Sequence, residues 1–258
     1  MIPIYFLGAW GAVALFMTLL WFLQRRTGNA GIVDVGWAAS IGAMAIVFAA
    51  VGDGDTSRRI ATAVMGGVWG LRLAWHIHSR SHGRPEDGRY QALRREWAPH
   101  VQFKMFRFYQ TQALAAALFA FPFLLPAVNA ATAPHPLEIA GIILWLVGML
   151  GESLADYQLE VFKRSPDSKG KTCRLGLWRY SRHPNYFFEF VIWCAFALFA
   201  SASPHGWLTI LCPIAILYLL LRVTGIPATE EQALRSRGDD YKDYQRTTSM
   251  FVPWFPKR

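Results

Sequence analysis

Residues 174–189 read RLGLWRYSRHPNYFFE. Three arginines, a His-Pro pair, two tyrosines, an asparagine and a glutamate fall within sixteen residues, and long apolar runs flank them on both sides. A polar stretch between two runs of membrane-crossing length is a loop at the mouth of a helical bundle. Pro184 suits the first turn of the helix that follows. Asn185 and Glu189 then share a face one turn inside it. The N–H groups at such a helix start favour an anion, with Arg179, Arg182 and His183 around it, so phosphate is the natural occupant. The bland alternative is a basic loop that only obeys topology rules.

Composition places this loop in a membrane protein. The chain has 258 residues, is 53% hydrophobic and carries eleven Trp and eighteen Phe. Only 17% of its residues are charged, against about 25% in a soluble domain. Several runs reach the roughly 20 residues that cross a bilayer. Three cysteines are an odd number, and Cys194 and Cys212 fall in apolar runs, so no disulfide framework is implied. The first apolar run has no basic residue before it and Arg25 and Arg26 after it, the reverse of a signal peptide.

Seven spans are expected, at about 3–23, 31–51, 60–80, 106–127, 137–159, 185–202 and 206–225. With that count, 23 of the 26 Lys and Arg fall on one side; Arg58 and Arg59 lie opposite and Arg72 lies within a span. The positive-inside rule then puts the N-terminus outside and the C-terminus in the cytoplasm. The expectation is an all-α integral membrane protein of about seven transmembrane helices. The net charge of +9 follows from this sorting, so no nucleic-acid partner is implied. Membrane lipids are the expected surroundings.

Polar residues inside the spans mark the candidate site. Asp34 lies near the cytoplasmic entrance of span two, where a carboxylate is costly unless paired or wet, and Arg72 in span three is a candidate partner. Gly66 and Gly70 form a small-xxx-small pair for close packing. Glu152 and Asp156, four apart in span five, share a face that should point into the bundle or a wet pocket. After Gly-Arg-Pro, with Arg84, a short amphipathic helix carries Arg89, Tyr90, Arg94 and Arg95. It either binds a ligand or rests on anionic headgroups. His76, His78 and His82 match no metal-site spacing, so no metal is expected. After span seven, Glu230 and Glu231 should open a short helix that Gly238 ends, with Tyr241, Tyr244 and Gln245 on a second short turn.

The pattern G-x-x-x-x-S-R-H-P-N-Y-x-x-E from Gly176 to Glu189, the Glu230-Glu231 pair, D-Y-x-x-Y-Q from Asp240 and the Pro-Trp-Phe-Pro end resemble the steroid 5-alpha-reductase superfamily. Within it they are most similar to the bacterial DUF1295 group, of unassigned substrate. The resemblance implies an NADPH-dependent reductase that transfers hydride to a conjugated C=C of a lipid-like enone, in a bacterial inner membrane, with the active site facing the cytoplasm. It implies one membrane domain over 1–258, with substrate-side helices over 1–127 and a cofactor-binding half over 137–258. By motif, the cofactor residues would be Arg84, Glu152, Asp156, Lys163, Arg174, Arg179, Arg182, His183, Asn185, Tyr186 and Glu189, with Glu231, Tyr241 and Tyr244 as further members. In that superfamily a carboxylic acid and a tyrosine hydrogen-bond the ketone. Here Asp34 stands near the acid's place, with Arg72 beside it as the second catalytic candidate, and Trp69 falls where the tyrosine is expected. The substrate class is a sterol, polyprenoid or unsaturated fatty acyl lipid.

Two rivals remain from the residues. Isoprenylcysteine carboxyl methyltransferases also show an Arg-His-Pro-x-Tyr segment and a later Glu-Glu pair, and bind S-adenosylmethionine. The loop from Lys163 to Arg182 holds seven cations to one acid. That suits the phosphates of NADPH better than a sulfonium. A non-enzymatic lipid transporter or scaffold would need polar residues in the outer halves of the spans, and almost none are there.

Overall fold

The computed structural model describes residues 2–257, apart from the side chain of Asp167. Among the described residues there is no strand, and the protein is an all-α integral membrane protein. Its helices are α1 Ile2–Thr27, α2 Ile32–Val51, α3 Thr56–Ser81, α4 Gly88–Glu96, α5 Val101–Phe119, α6 Phe121–Ala127, α7 Pro136–Arg164, α8 Pro184–Ala200, α9 Leu211–Tyr218, α10 Ile226–Arg237 and α11 Asp239–Thr247. Five stretches are long and apolar enough to cross a membrane: Ile2–Thr27, Ile32–Val51, Val101–Ala127, Pro136–Arg164 and Gly206–Arg237. Of the other two expected spans, α3 carries four arginines and α8 is a shorter apolar helix of 17 residues.

The chain divides into two compact units. The first runs to Pro134 and includes Ala202–Gly206; the second holds His135–Ser201 and the chain from Trp207 onward. In the first unit α2 and α3 pack through glycine. A Cβ on Gly70 would lie 2.6 Å from the Gly42 Cα, and one on Gly66 would lie 2.3 Å from the Ala45 Cβ. Such close backbones are the means by which membrane helices gain dispersion contact when lipid removes the hydrophobic drive. Asp55 starts α3 by accepting from the N–H groups of Ser57 at 2.9 Å and Arg58 at 3.3 Å. Pro122 ends the helical ladder of the fourth apolar run, so α5 stops at Phe119 and α6 restarts at Phe121. The outer face of α1 stays apolar and exposed, with Ile4 at 74% and Leu15 at 65%, as a lipid-facing surface does.

In the second unit α7 packs on α8. Its buried positions Gly141, Trp145, Gly148, Glu152 and Ala155 are spaced four, three, four and three, a coiled-coil-like seam. A Cβ on Gly148 would meet Ile192 at 2.6 Å, and one on Gly141 the Phe199 backbone at 2.8 Å. A capping box starts α7: Glu138 accepts from the His135 N–H at 2.8 Å, and the His135 ring accepts from the Leu137 N–H at 3.2 Å. The last apolar run is a 3-10 turn over Gly206–Ile210, then α9, then a π-helical turn over Leu219–Val223. Helix α10 restarts at Ile226 with Pro227 in its first turn, four residues before the Glu230 start expected from sequence.

Candidate functional site

In the first unit the polar cluster is built at the start of α2 by the loop helix α4. Asp87 caps α4 by accepting from the Arg89 N–H at 2.9 Å. That turn aims two consecutive side chains at α2. The Tyr90 hydroxyl donates to Asp34 Oδ1 at 2.7 Å, and Arg89 Nη2 donates to Asp34 Oδ2 at 3.2 Å. Arg89 also lies over the Tyr90 ring, 5.4 Å from its centroid. Burial pushes the Tyr90 phenol well up, and the Asp34 carboxyl adds to it, so the hydroxyl keeps its proton. The same loop is strapped down by Glu86, which accepts from the Ala30 N–H at 2.7 Å and from Arg94 Nε at 2.9 Å. Arg94 goes on to the Gln24 amide oxygen at 2.9 Å. The cation that reaches Asp34 therefore comes from α4. Arg72 sits half-buried on α3, and Trp69 is fully buried, edge-on to Trp37. Arg84 is exposed on the turn after Gly83, whose φ of 71° lies in the left-handed region.

In the second unit the organising group is Glu230. Its Oε1 accepts from Arg182 Nε at 2.7 Å and faces His183 Nε2 at 3.2 Å; its Oε2 accepts from the Gln245 amide at 2.8 Å. Arg182 also donates to the carbonyls of Thr248 at 2.8 Å and Gln245 at 3.0 Å. The expected phosphate ligand Arg182 is thus nine-tenths buried and spent on holding the chain end. The reason is local: the Arg182 N–H donates to the Ser249 carbonyl, and Ser181 Oγ to the Phe251 carbonyl, so the tail runs alongside the Ser-Arg-His turn. Tyr244 closes the knot by donating to the carbonyls of Ser181 and Trp178. Burial pushes the Tyr244 and Tyr241 phenols up. His183 is buried, which lowers its pKa against the pull of Glu230. It is neutral at neutral pH and presents its Nε2–H to the carboxylate.

Around that knot the start of α8 carries the remaining candidates. The His183 ring stacks on Tyr186 at 5.5 Å and 5° between planes. Tyr186 pairs by its hydroxyl with Thr229 at 3.3 Å. Asn185 donates to Asp156 on α7 at 3.2 Å. Trp193 donates to Glu189 at 2.9 Å, one turn further in, and both are buried. Glu152 is buried on the α7 seam. Gly176, with φ of 55°, starts the turn before Arg179; a Cβ there would overlap the Gln158 amide at 2.3 Å, which instead accepts from the Leu177 N–H at 2.9 Å.

The expected cations divide into two kinds. Arg174 is held by Asp243 at 2.9 Å and Asp240 at 3.3 Å. Arg179 is exposed, and among the described residues no carboxylate hydrogen-bonds it. Lys163 is exposed at the end of α7. Of the acidic pair, Glu231 points outward and pairs with Arg235, while Glu230, which the sequence reading left aside, enters the network. The spacing Ile226, Glu230, Ala233, Arg237 is one helix face, and it would have singled out Glu230 once the helix start was known. Arg89 and Tyr90 stood out on the expected loop helix, but their pairing with Asp34, like that of Asp240 and Asp243 with Arg174, had no sequence signal. Among the described residues no group of three or more His, Cys, Asp or Glu could hold a metal.

An all-helical membrane protein with acid–phenol and His–Glu–Arg clusters is the class that fold and sites define. The chain belongs to the family described as "Protein of unknown function (DUF1295)", whose model matches residues 20–248. It is 32% identical over 120 residues to the mouse "3-oxo-5-alpha-steroid 4-dehydrogenase 1", covering 46% of this chain and 43% of that one. The rat protein of that name is 29% identical over 120 residues, covering 46% and 42%. The chain thus spans less than half the length of these curated relatives. A shorter match joins it to "Probable O-methyltransferase ustE" of Ustilaginoidea virens, 39% identical over 62 residues, 24% of this chain and 22% of that one. No solved structure matches the chain.

Proposed function

We propose that this protein is an NADPH-dependent membrane reductase acting on the conjugated C=C of a lipid-like enone, a sterol, polyprenoid or unsaturated acyl compound. The observation that carries the reading is the Tyr90–Asp34 hydrogen bond of 2.7 Å. A carboxyl and a phenol in one half-buried cluster are the donor set that such a ketone needs, and Tyr90 supplies the phenol that Trp69 cannot. The dehydrogenase names of the mouse and rat relatives support the same class. We further propose seven spans, the N-terminus outside, and an active site on the cytoplasmic side of a bacterial inner membrane.

The residues of the second unit fit a nucleotide by the chemistry of their side chains. Arg179 is a cation on which no carboxylate among the described residues is placed, and His183 with Tyr186 forms a flat aromatic stack. Asn185, Tyr186, Asp156 and Glu189 would bind the cofactor by hydrogen bonds, with Lys163 and Glu152 as further contacts. Arg174, Arg182, Tyr241 and Tyr244 would hold the framework from behind, and Glu231 would lie outside the site. NADPH, when bound, supplies the hydride. The chain's own task is to stabilise the charge that hydride addition to the β carbon builds on the ketone oxygen. Tyr90 re-aims its proton from Asp34 to that oxygen, and Asp34 and Arg89 fix the phenol in place. A single preorganised donor of this kind contributes about 2.7–4 kcal/mol.

A second reading is an S-adenosylmethionine-dependent methyltransferase, which the printed name of the fungal relative and the neutralisation of Arg174 and Arg182 both favour. Thermal-shift titration of the detergent-purified protein separates the two. A ligand at a hundredfold excess over its Kd stabilises by about 2.7 kcal/mol. A shift with NADPH and none with S-adenosylmethionine is expected; the opposite pattern overturns the reductase.

A further inference from the structure

Helices α1 and α5 lie side by side in the first unit and run in opposite directions. Gln110 donates to Thr18 at 3.0 Å, the rings of Trp21 and Phe106 meet edge-on at 5.1 Å, and Gln24 donates to Gln102 at 2.9 Å. The last turns of α1 and the first turns of α5 therefore share one level. Neither helix contains an aspartate or a glutamate, and all four of their cations stand at this level: Arg25 and Arg26 on α1, Lys104 and Arg107 on α5. Two of the guanidinium groups are set by rings. Arg25 folds back along α1 to lie over Trp21, 5.0 Å from the ring centroid, and Arg107 lies over Phe103 at 5.9 Å. Trp21 Nε1 donates to the Gln102 carbonyl at 3.2 Å, which fixes the ring under Arg25. Phe103 falls between the levels that Trp21–Phe106 and Gln24–Gln102 define, so the two charges come to one depth from opposite directions.

Elsewhere the chain supplies acids for its cations. Arg89, Arg94, Arg164, Arg174, Arg182 and Arg235 each pair with a carboxylate. Among the described residues none pairs with Arg25, Arg26, Lys104 or Arg107. Glu96, exposed at the end of α4, is the one acid between Asp87 and Glu138, and among the described residues it pairs with no cation. One acid against four cations leaves this surface positive. The helix faces beside it are apolar and exposed, with Leu19, Phe22 and Leu23 on α1 and Phe103 on α5, the last at 64%. An apolar helix face that ends in cations without acids is the two-part contact a phospholipid makes, with its chains along the face and its phosphate at the cations.

We infer that the adjoining ends of α1 and α5 bind the headgroup phosphate of an anionic phospholipid. A soluble anion would leave the apolar face unused. A zwitterionic lipid would bring an ammonium group that four cations repel. The inference needs only a membrane around α1 and α5, both long and apolar enough to cross one, and does not rest on the reductase reading.

The test is thermal unfolding of the full chain in maltoside micelles, titrated with dioleoyl phosphatidylglycerol. Dioleoyl phosphatidylethanolamine and inorganic phosphate, at matched ionic strength, are the controls. The expected result is a saturable rise in Tm with phosphatidylglycerol, an apparent affinity at least tenfold weaker for phosphatidylethanolamine, and no rise with phosphate. Arg25→Gln/Arg107→Gln should weaken phosphatidylglycerol binding at least tenfold, since each basic residue beside an anionic surface strengthens attraction about fivefold. Arg164→Gln/Arg235→Gln, which removes two cations with acids of their own, should bind as the wild type does. An equal response to the two lipids, a phosphate response matching that of phosphatidylglycerol, an unchanged affinity in Arg25→Gln/Arg107→Gln, or an equal loss in both double variants overturns the site. Should the loss of the ring contacts unfold the first variant, Arg26→Gln/Lys104→Gln, which removes neither ring-stacked guanidinium, must still weaken binding several-fold; wild-type affinity there overturns the site as well.

Discussion

Tyr90 donates its hydroxyl to Asp34 across 2.7 Å, joining a loop helix to the first turn of a membrane helix 56 residues earlier. Tyr90→Phe removes the phenol and leaves Asp34 with Arg89. If the phenol stabilises the ketone oxygen, turnover of an enone lipid falls about a hundredfold to a thousandfold, as for the loss of one oxyanion donor. Asp34→Asn lowers turnover too, and both variants keep the NADPH-induced thermal shift. Normal turnover in Tyr90→Phe removes it from the chemistry.

Glu230 and Glu231 are neighbours in sequence with opposite surroundings. Glu230→Gln leaves Arg182 buried without its carboxylate, and such a loss costs about 3–5 kcal/mol. Glu231→Gln breaks an exposed pair with Arg235, which costs about 0–1 kcal/mol. Denaturant unfolding in mixed micelles should separate the two by more than 2 kcal/mol, about the gap between those ranges. Equal midpoints would show that the Glu230 network contributes no stability.

His183 gives this network a pH dependence with a definite sign. Its folded pKa is lowered by burial, so the unfolded chain binds more protons near the ordinary histidine pKa of about 6.5. Stability from the neutral imidazole is present above that value and is lost as pH falls toward and through the folded pKa. The Tm should therefore drop on acidification below about pH 6.5, and His183→Gln should flatten that part of the curve. A wild-type curve already flat there would contradict a buried neutral imidazole.

The helix seams predict which glycines are fixed. In Gly70→Ala the new methyl would lie 2.6 Å from the Gly42 Cα and 2.9 Å from the Ala38 carbonyl, both backbone atoms that cannot turn aside. Overpacking of this kind costs about 1–3 kcal/mol. Gly8→Ala meets nothing within 4 Å and should leave Tm unchanged. Similar losses in the two variants would show that the α2–α3 seam is looser than its glycines imply.

Much of this architecture was legible because periodicity and turn chemistry are local. Pro184 opens α8, Gly66 and Gly70 face α2, Glu152 is buried, and Asp34 sits in the first turn of α2. Pairings across long separations were not. Nothing in the sequence tells that Tyr90, on a polar nine-residue helix, reaches Asp34, or that the tail at Thr248 takes up Arg182. Glu231 entered the expected site through the resemblance, and a helix start placed at the acidic pair gave no buried face by which to weigh Glu230 against it. The true start at Ile226 turns one glutamate in and the other out. The charge count in the Lys163–Arg182 loop likewise could not separate cations with acids of their own from those without.

That separation yields the sharpest test of the cofactor. Arg179 and Arg182 are three residues apart, yet Arg179 is exposed with no carboxylate among the described residues on it, while Arg182 is nine-tenths buried and bound to Glu230. Arg179→Ala should leave Tm without ligand unchanged and weaken NADPH binding about tenfold or more, since a hydrogen bond to a charged group contributes roughly 1.5–3 kcal/mol. NADH binding should fall as well if Arg179 meets the diphosphate, and stay constant if it meets the 2′-phosphate, so the pair of titrations locates the contact. Arg182→Ala should instead lower Tm with no ligand present, because Glu230 and the carbonyls of Gln245 and Thr248 lose their shared partner. Were Arg179→Ala to bind NADPH as the wild type does, the anion expected at the start of α8 would not be the cofactor's phosphate.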